Sequence, residues 1–338
     1  MTGPPLDDRP GPTRRAFLRV VAGGAATALA ASASTGCSPR TEQRRSPDPN
    51  TSSAMKLSLS VRVAESFKSK EESSMTFAEI VELATSLGYE AICMRASQGG
   101  IQTEPERLRE MRRQLDAAGL PVSMVTGDFA VPRNDERGPD GLRNITPYLD
   151  LAETFGTDLI RICMKVEADI PPAQRAADEA RERGIRLAHQ AHCASLFETV
   201  DGSVRVLRAV GRPNFGIIYE PANWMLSRQD HGRAGILAIR DWLFNVYVQN
   251  HRLVPEGEEG EVSVETYGYG EVALEQIGLW DEGGVDFGEV FRTLHEVGYQ
   301  GHVTVHQAFA GVMTADEAVR RSRDYLRPLL VRVSHQTP

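Results

Sequence analysis

Positive charge is in short supply in this chain. Across 338 residues, 38 lysines and arginines face 46 aspartates and glutamates, a formal net charge of −8. The first 36 residues hold Arg9, Arg14, Arg15 and Arg19 against Asp7 and Asp8, which leaves −10 on the remainder. No basic stripe laced with aromatics breaks this acidity, so nucleic acid is excluded as the expected partner. Cysteine is also scarce. After Cys37 only Cys93, Cys163 and Cys193 remain. An odd count without tight spacing makes no disulfide framework, and each lies in or beside an expected strand, where a buried free thiol is the default. Long apolar runs are missing too. The one apolar stretch, from Phe17 to about Ala33, is short and rich in Gly and Ala, too weak for a membrane span. What the chain does have is ordinary: 41% hydrophobic and 25% charged residues, enough for the core of one large soluble domain.

The N-terminus has its own grammar. Residues 13–37 read TRRAFLRVVAGGAATALAASASTGC. Arg14-Arg15-x-Phe17-Leu18 ahead of the apolar run resembles a twin-arginine export signal. Its end, Ser34-Thr35-Gly36-Cys37, is similar to a lipoprotein processing site, with Ser34 where such sites usually carry Leu. The expectation is a disordered leader over 1–37, export to a periplasmic or membrane-anchored location, and membrane contact only through a lipid at Cys37. Residues 38–54 are polar and Pro/Ser-rich, as a flexible linker would be. The folded domain is expected over 55–335.

Within that domain, strand-like and helix-like segments alternate. Strands are expected at 56–63, 90–95, 121–126, 158–164, 185–192, 214–220, 244–250 and 301–306. Helical patterns lie between them, with capping-box spacing at Thr76/Glu79 and Thr314/Glu317. Glycines such as Gly88 and Gly298 punctuate helix ends just before the next strand. Eight strands each followed by a helix predict an α/β fold with a parallel sheet closed into a (β/α)8 barrel. An open doubly wound sheet is the alternative, weakened because no glycine-rich phosphate turn follows the first strand. The long segment 252–284 after strand seven contains PEGEEGE and TYGYGE. In a barrel it leaves the C-terminal mouth, as a lid or specificity element, or else as a disordered acidic excursion.

Active groups in such barrels sit at the C-terminal strand ends, and four consecutive ends here are polar. Strand five finishes His189-Gln190-Ala191-His192, strand six Tyr219-Glu220-Pro221-Ala222-Asn223, strand seven Gln249-Asn250-His251-Arg252, and strand eight His306-Gln307. Alternation puts Gln190 and His192 on one face and His189 on the other. A convergent polar site at one rim follows.

At these residues, from about Lys56 to Leu330, the chain resembles the sugar phosphate isomerase/epimerase family, the xylose isomerase-like TIM barrels. The resemblance is carried by GIRLAHQAH, by LFETVDGSVRVLRAVGRPNFGIIYEPAN and by GGVDFGEVFRTLHEVGYQGHVTVH. Metal-binding relatives hold a divalent ion with a strand-five Glu, a strand-six Asp, a strand-seven His and a strand-eight Glu. The ion polarises a carbonyl and hydroxyl pair of a sugar while the carboxylates move a proton. This chain departs from that set. Gln190 stands at the strand-five Glu, Glu220 at the Asp, Tyr247 at the His, with His251 just beyond, and His306 at the strand-eight Glu.

Two readings of the site follow from the resemblance. Gln190, Glu220, His251 and His306 ligate a divalent ion, for which histidine with one carboxylate favours Mn, Zn, Fe or Ni. Otherwise the metal has been lost and amides and imidazoles bind the sugar. In either case Glu220 is the candidate base, with His192 or His306 as its acid/base partner. Gln190, Asn223, Gln249, Arg95 and Lys165 are candidate substrate-binding groups. Trp224 is either a platform for a sugar face or packing under a loop. The implied partner is a small carbohydrate or cyclitol. The implied activity is isomerisation or epimerisation, with a keto-sugar or cyclitol lyase or dehydratase, or a non-catalytic carbohydrate-binding lipoprotein, as the alternatives.

Overall fold

The computed structural model describes residues 55–65, 69–255, 258, 260, 262–309 and 312–334. The export leader, the linker and the lipidation expected at Cys37 lie outside these residues. Among the described residues no helix is long and apolar enough to cross a membrane.

Strands follow one another in chain order as β1 (Lys56–Ser60), β2 (Ala91–Arg95), β3 (Val122–Thr126), β4 (Leu159–Ile162), β5 (Arg186–Gln190), β6 (Phe215–Tyr219), β7 (Leu243–Val248), β8 (His251–Leu253), β9 (Val262–Thr266), β10 (Gly270–Gln276) and β11 (His302–Val305). β1 to β7 and β11 are parallel and close into a barrel, with β1 pairing β2 on one side and β11 on the other. The closed alternative, not the open sheet, is the fold. Closure leaves this sheet no unpaired edge.

Two apolar layers hold it. The larger lies between strands and helices, where Leu57, Leu59, Ile92, Ile160, Leu187 and Ile217 meet helix residues such as Phe77, Phe155 and Phe291. Each fully buried Leu or Phe contributes roughly 1.5–3 kcal/mol relative to exposure. The smaller layer plugs the barrel itself with one residue from each of β2 to β7: Cys93, Met124, Leu159, Ala188, Ile218 and Tyr247. Period-2 alternation puts the two layers on opposite faces of the same strands. Cys93, Cys163 and Cys193 are buried free thiols.

Helix ends follow local chemistry. At helix 77–86, Thr76 Oγ1 accepts from Glu79 N at 3.3 Å and Glu79 returns a carboxylate to Thr76 N at 2.7 Å. Helix 146–155 stops at Gly156, whose φ of +65° suits a residue without Cβ.

The segment 252–284 is more ordered than its composition suggests. β8, β10 and β9 form a three-stranded antiparallel sheet beside the barrel. Val262, Val264 and Thr266, then Val272 and Leu274, alternate about the turn Tyr267-Gly268-Tyr269, a hairpin pattern hidden among acidic residues. The sheet lies at the C-terminal side. Glu198, in the connection after β5, accepts from Tyr267 N at 2.8 Å and Gly268 N at 3.1 Å. Gln307, after β11, donates to Ile277 O at 2.6 Å.

Candidate functional site

The C-terminal mouth is built first from charge. β1 runs through Ser58 and Ser60 into the tight turn Val61–Ala64, which brings Arg62 over the barrel. Arg62 Nε donates to His306 O at 3.1 Å. Arg95, the last residue of β2, makes a bidentate pair with Glu65, both contacts at 2.8 Å, and Ser97 Oγ donates to the same carboxylate at 2.6 Å. Such fork-to-fork geometry is what a buried carboxylate needs to stay ionised. Burial alone would raise the Glu65 carboxyl, but Arg95, Arg62 and the Ser97 hydroxyl together outweigh it and hold it below the usual carboxylate range. Arg161, inside β4, is only 3% exposed. Lys70 Nζ donates to Pro132 O at 2.7 Å. Arg62, Lys70, Arg95 and Arg161 line one cavity of about 40 Å³ with Gln190, His192, Gln249 and His306. Burial, then Arg62, Arg95 and Arg161, push Lys70 down to about 6.

Glu220 is the second element. It follows β6, is fully buried, and accepts from Asn223 Nδ2 at 2.8 Å and from Gln190 Nε2, both on Oε2. Its other oxygen, Oε1, has no hydrogen-bond partner. Burial raises its carboxyl to about 8, although Arg161, Arg62, Lys70 and Arg95 all pull the other way.

Histidines divide by environment. His306 stacks on Tyr247, centroids 3.7 Å apart at 8°. Its Nδ1 meets Ser60 Oγ at 3.1 Å and its Nε2 meets Arg95 Nη1 at 3.5 Å. A guanidinium only donates, which assigns Nε2 as acceptor and the proton to Nδ1. His192 Nδ1 donates to Cys193 O at 2.8 Å, leaving Nε2 unprotonated. Burial and the neighbouring cations hold both rings neutral, well below the usual value. His189 stacks on Phe197 at 4.3 Å, away from the mouth.

Of the residues singled out in the sequence, Gln190, His192, Gln249, His306 and Arg95 share the cavity, and Glu220 and Asn223 join it through Gln190. His251 lies in the accessory sheet, paired with Gln276, and is not part of the lining. Lys165 donates to Asn134 O at 2.7 Å, also outside it. Trp224 is fully buried and donates to Phe197 O at 3.2 Å, the packing role. Arg62, Glu65, Lys70 and Arg161 were missed. A signal was present for two of them: Ser58, Ser60 and Arg62 alternate with Leu57, Leu59 and Val61, and Arg161 interrupts Leu159-Ile160-Ile162.

The donor set does not fit a divalent cation. Among the described residues no group of three or more His, Cys, Asp or Glu side chains could hold one. His306 Nε2 is turned to a guanidinium, Tyr247 fills the barrel beneath it, and the three guanidiniums of Arg62, Arg95 and Arg161 surround the place. Such a field repels a dication.

A sequence profile of xylose isomerase-like TIM barrels matches residues 81–329. The chain belongs to this family. Solved structures agree on the fold of this xylose isomerase-like barrel. A xylose isomerase domain protein from Planctomyces limnophilus superposes with a TM-score of 0.64 at 16% identity, covering 84% of this chain and 99% of that one. A probable 3-DHS dehydratase from Bacillus anthracis gives 0.61 at 16%, over 81% and 99%. A D-allulose 3-epimerase from a Methylomonas species, in complex with D-allulose, gives 0.57 at 15%, over 81% and 97%. No curated protein matches this chain.

Proposed function

We propose that this xylose isomerase-like barrel is a metal-independent isomerase that moves a proton beside the carbonyl of a small carbohydrate or cyclitol. The observation that carries the reading is Glu220: a buried strand-end carboxyl with one free oxygen and a pKa of about 8. A group so tuned can take a carbon-bound proton and return it near neutral pH. In the forward direction Glu220 removes the proton from the carbon bearing the hydroxyl. His192, through Nε2, passes the hydroxyl proton to the carbonyl oxygen. Glu220 then returns its proton to the former carbonyl carbon. The surrounding guanidiniums stabilise the enediolate in the role that a metal plays in metal-using relatives.

One specific observation favours a second reading. The mouth offers one carboxyl outside an ion pair, Glu220, because Glu65 is locked to Arg95. Proton transfer on one face, as in aldose–ketose isomerisation, needs one such group, and so does elimination of water. Inversion at a carbon needs proton donors on both faces. A dehydratase is therefore the alternative, and one of the structural neighbours is a probable dehydratase.

The test is solvent exchange. Chelator-treated protein is incubated in heavy water with aldoses, ketoses and cyclitol ketones and followed by NMR. Deuterium should enter the carbon beside the carbonyl, and Glu220→Gln should abolish it. Exchange that survives in Glu220→Gln, or that appears only on adding Mn or Zn, would defeat the proposal.

A further inference from the structure

The charges at the mouth do not balance, and the imbalance is local. Arg95 is spent on Glu65. Arg62 shares that carboxylate at 3.5 Å, yet its Nη1 has no hydrogen bond. Arg161 has no carboxylate partner among the described ion pairs. Among the described residues its one hydrogen bond is a long contact to Val131 O at 3.5 Å, and its Nε has none. The Tyr247 ring lies 6.0 Å away, and the acid whose field reaches Arg161 is Glu220, whose own carboxyl burial raises to about 8. Lys70 closes the same cavity and, among the described residues, donates to one backbone carbonyl, Pro132 O. An uncompensated guanidinium in a dry interior is strongly unfavourable, since desolvation costs several kcal/mol per ion. The cavity of about 40 Å³ has room for a small group with a few oxygens.

A neutral sugar would hydrogen-bond to Gln190, Gln249 and His192, but would leave Arg161 without a counter-charge. An enediolate would supply one only for the lifetime of the intermediate.

We propose that the substrate carries a permanent oxyanion, a carboxylate or a phosphate, which Arg161, Arg62 and Lys70 clamp at the mouth. This deepens the reading of the mouth as a substrate site and names the class: acidic sugars or sugar phosphates rather than neutral ones. Planar guanidiniums suit either oxyanion, each offering two parallel N–H donors. Gln190 and Gln249 are left to hydrogen-bond the hydroxyls.

Calorimetric titration of the full chain with inorganic phosphate, D-gluconate and D-glucitol separates the cases. Gluconate and glucitol share a hydroxylated six-carbon chain and differ in the charged end. At least one anion should bind, and glucitol should not. Phosphate binding the tighter assigns a phosphate ester; gluconate binding the tighter assigns a carboxylate. Arg161→Gln should weaken the anion by ~30-fold or more, the usual loss when one partner of a buried charge pair is removed. Lys70→Ala, nearer the surface, should weaken it in the same direction. The unliganded Arg161→Gln protein should melt no lower than the parent, because an unpaired buried charge has been removed, whereas an arginine with a merely structural role would lower the melting temperature. Glucitol binding as well as gluconate, neither anion binding, or anion affinity unchanged in Arg161→Gln overturns the inference. Glu220→Gln is expected to keep the anion. Anion binding without any proton exchange in the parent would sink the isomerase reading and leave this one standing.

Discussion

At the scale of the residue, Glu220 joins stability to chemistry. Its carboxyl is raised from an ordinary 4.5 to about 8 by burial. Between those values the unfolded chain has released the proton and the folded chain still holds it. The unfolded state therefore binds fewer protons, and stability from this group, full below about pH 4.5, is lost as pH rises toward about 8. Urea unfolding of the parent and of Glu220→Gln across that range should show the parent losing ground to the variant as pH rises. The loss should be at most ~1.4 kcal/mol per pH unit. A difference independent of pH would mean that the carboxyl titrates normally. Much of this residue was legible: strand-end position and carboxylate character mark Glu220 in the sequence. Its raised pKa was not, because that depends on complete enclosure together with the two amides, Gln190 and Asn223, that hold one oxygen.

At the scale of the element, the accessory sheet is the part that composition disguised. Its hairpin turn hangs on one side chain. Glu198 accepts from Ala194 N at 2.7 Å, Tyr267 N at 2.8 Å and Gly268 N at 3.1 Å, and Arg228 stacks over Tyr269 at 5.0 Å. Glu198→Ala leaves those amides without their acceptor, a loss of ~1–3 kcal/mol that falls locally on the turn. Amide hydrogen exchange at 266–270 should accelerate ~10-fold or more, while amides of β5 and β6 keep their protection. Uniform acceleration across the barrel strands would show instead that the sheet is integral to the core. The barrel elements themselves were legible because each carries its own local signals. Capping at Thr76/Glu79 and Thr314/Glu317 and the turn at Gly298, with φ of +73°, act within a few residues.

At the scale of the whole molecule, residues 13–37 lie outside the described structure, and the export reading of them is a proposal open to test. On the export reading, changing Arg14 and Arg15 to lysine should leave full-length protein in the cytoplasm. Cys37→Ala alone should release soluble protein beyond the inner membrane. Cell fractionation with immunoblotting distinguishes the two, and an intact residue 1 in the mass spectrum of the mature protein would count against both. The net charge of −10 on the remainder makes the cationic mouth stand out further, since the mouth runs against the sign of the molecule. The local field of the mouth favours a small anion that fits inside it, while the acidic remainder gives an extended polyanion nothing to hold.

By itself the sequence determined the eight barrel strands, their helices and, for strand five, the face turned inward. These rest on periodicity and turn chemistry, which are properties of neighbouring residues. It also marked the rim where Gln190, Glu220 and His306 end up. Only the tertiary structure decided which charges meet. Arg95 closes on Glu65 thirty residues away, Arg62 on His306 across β1 and β11, and Arg161 forms no ion pair among the described residues. Electrostatic character depends on distance in space and on exclusion of water, and neither is set until the barrel closes. For that reason a rim that the sequence left open between a metal site with altered ligands and a metal-free sugar site folds into a pocket of guanidiniums beside one buried carboxyl outside any ion pair.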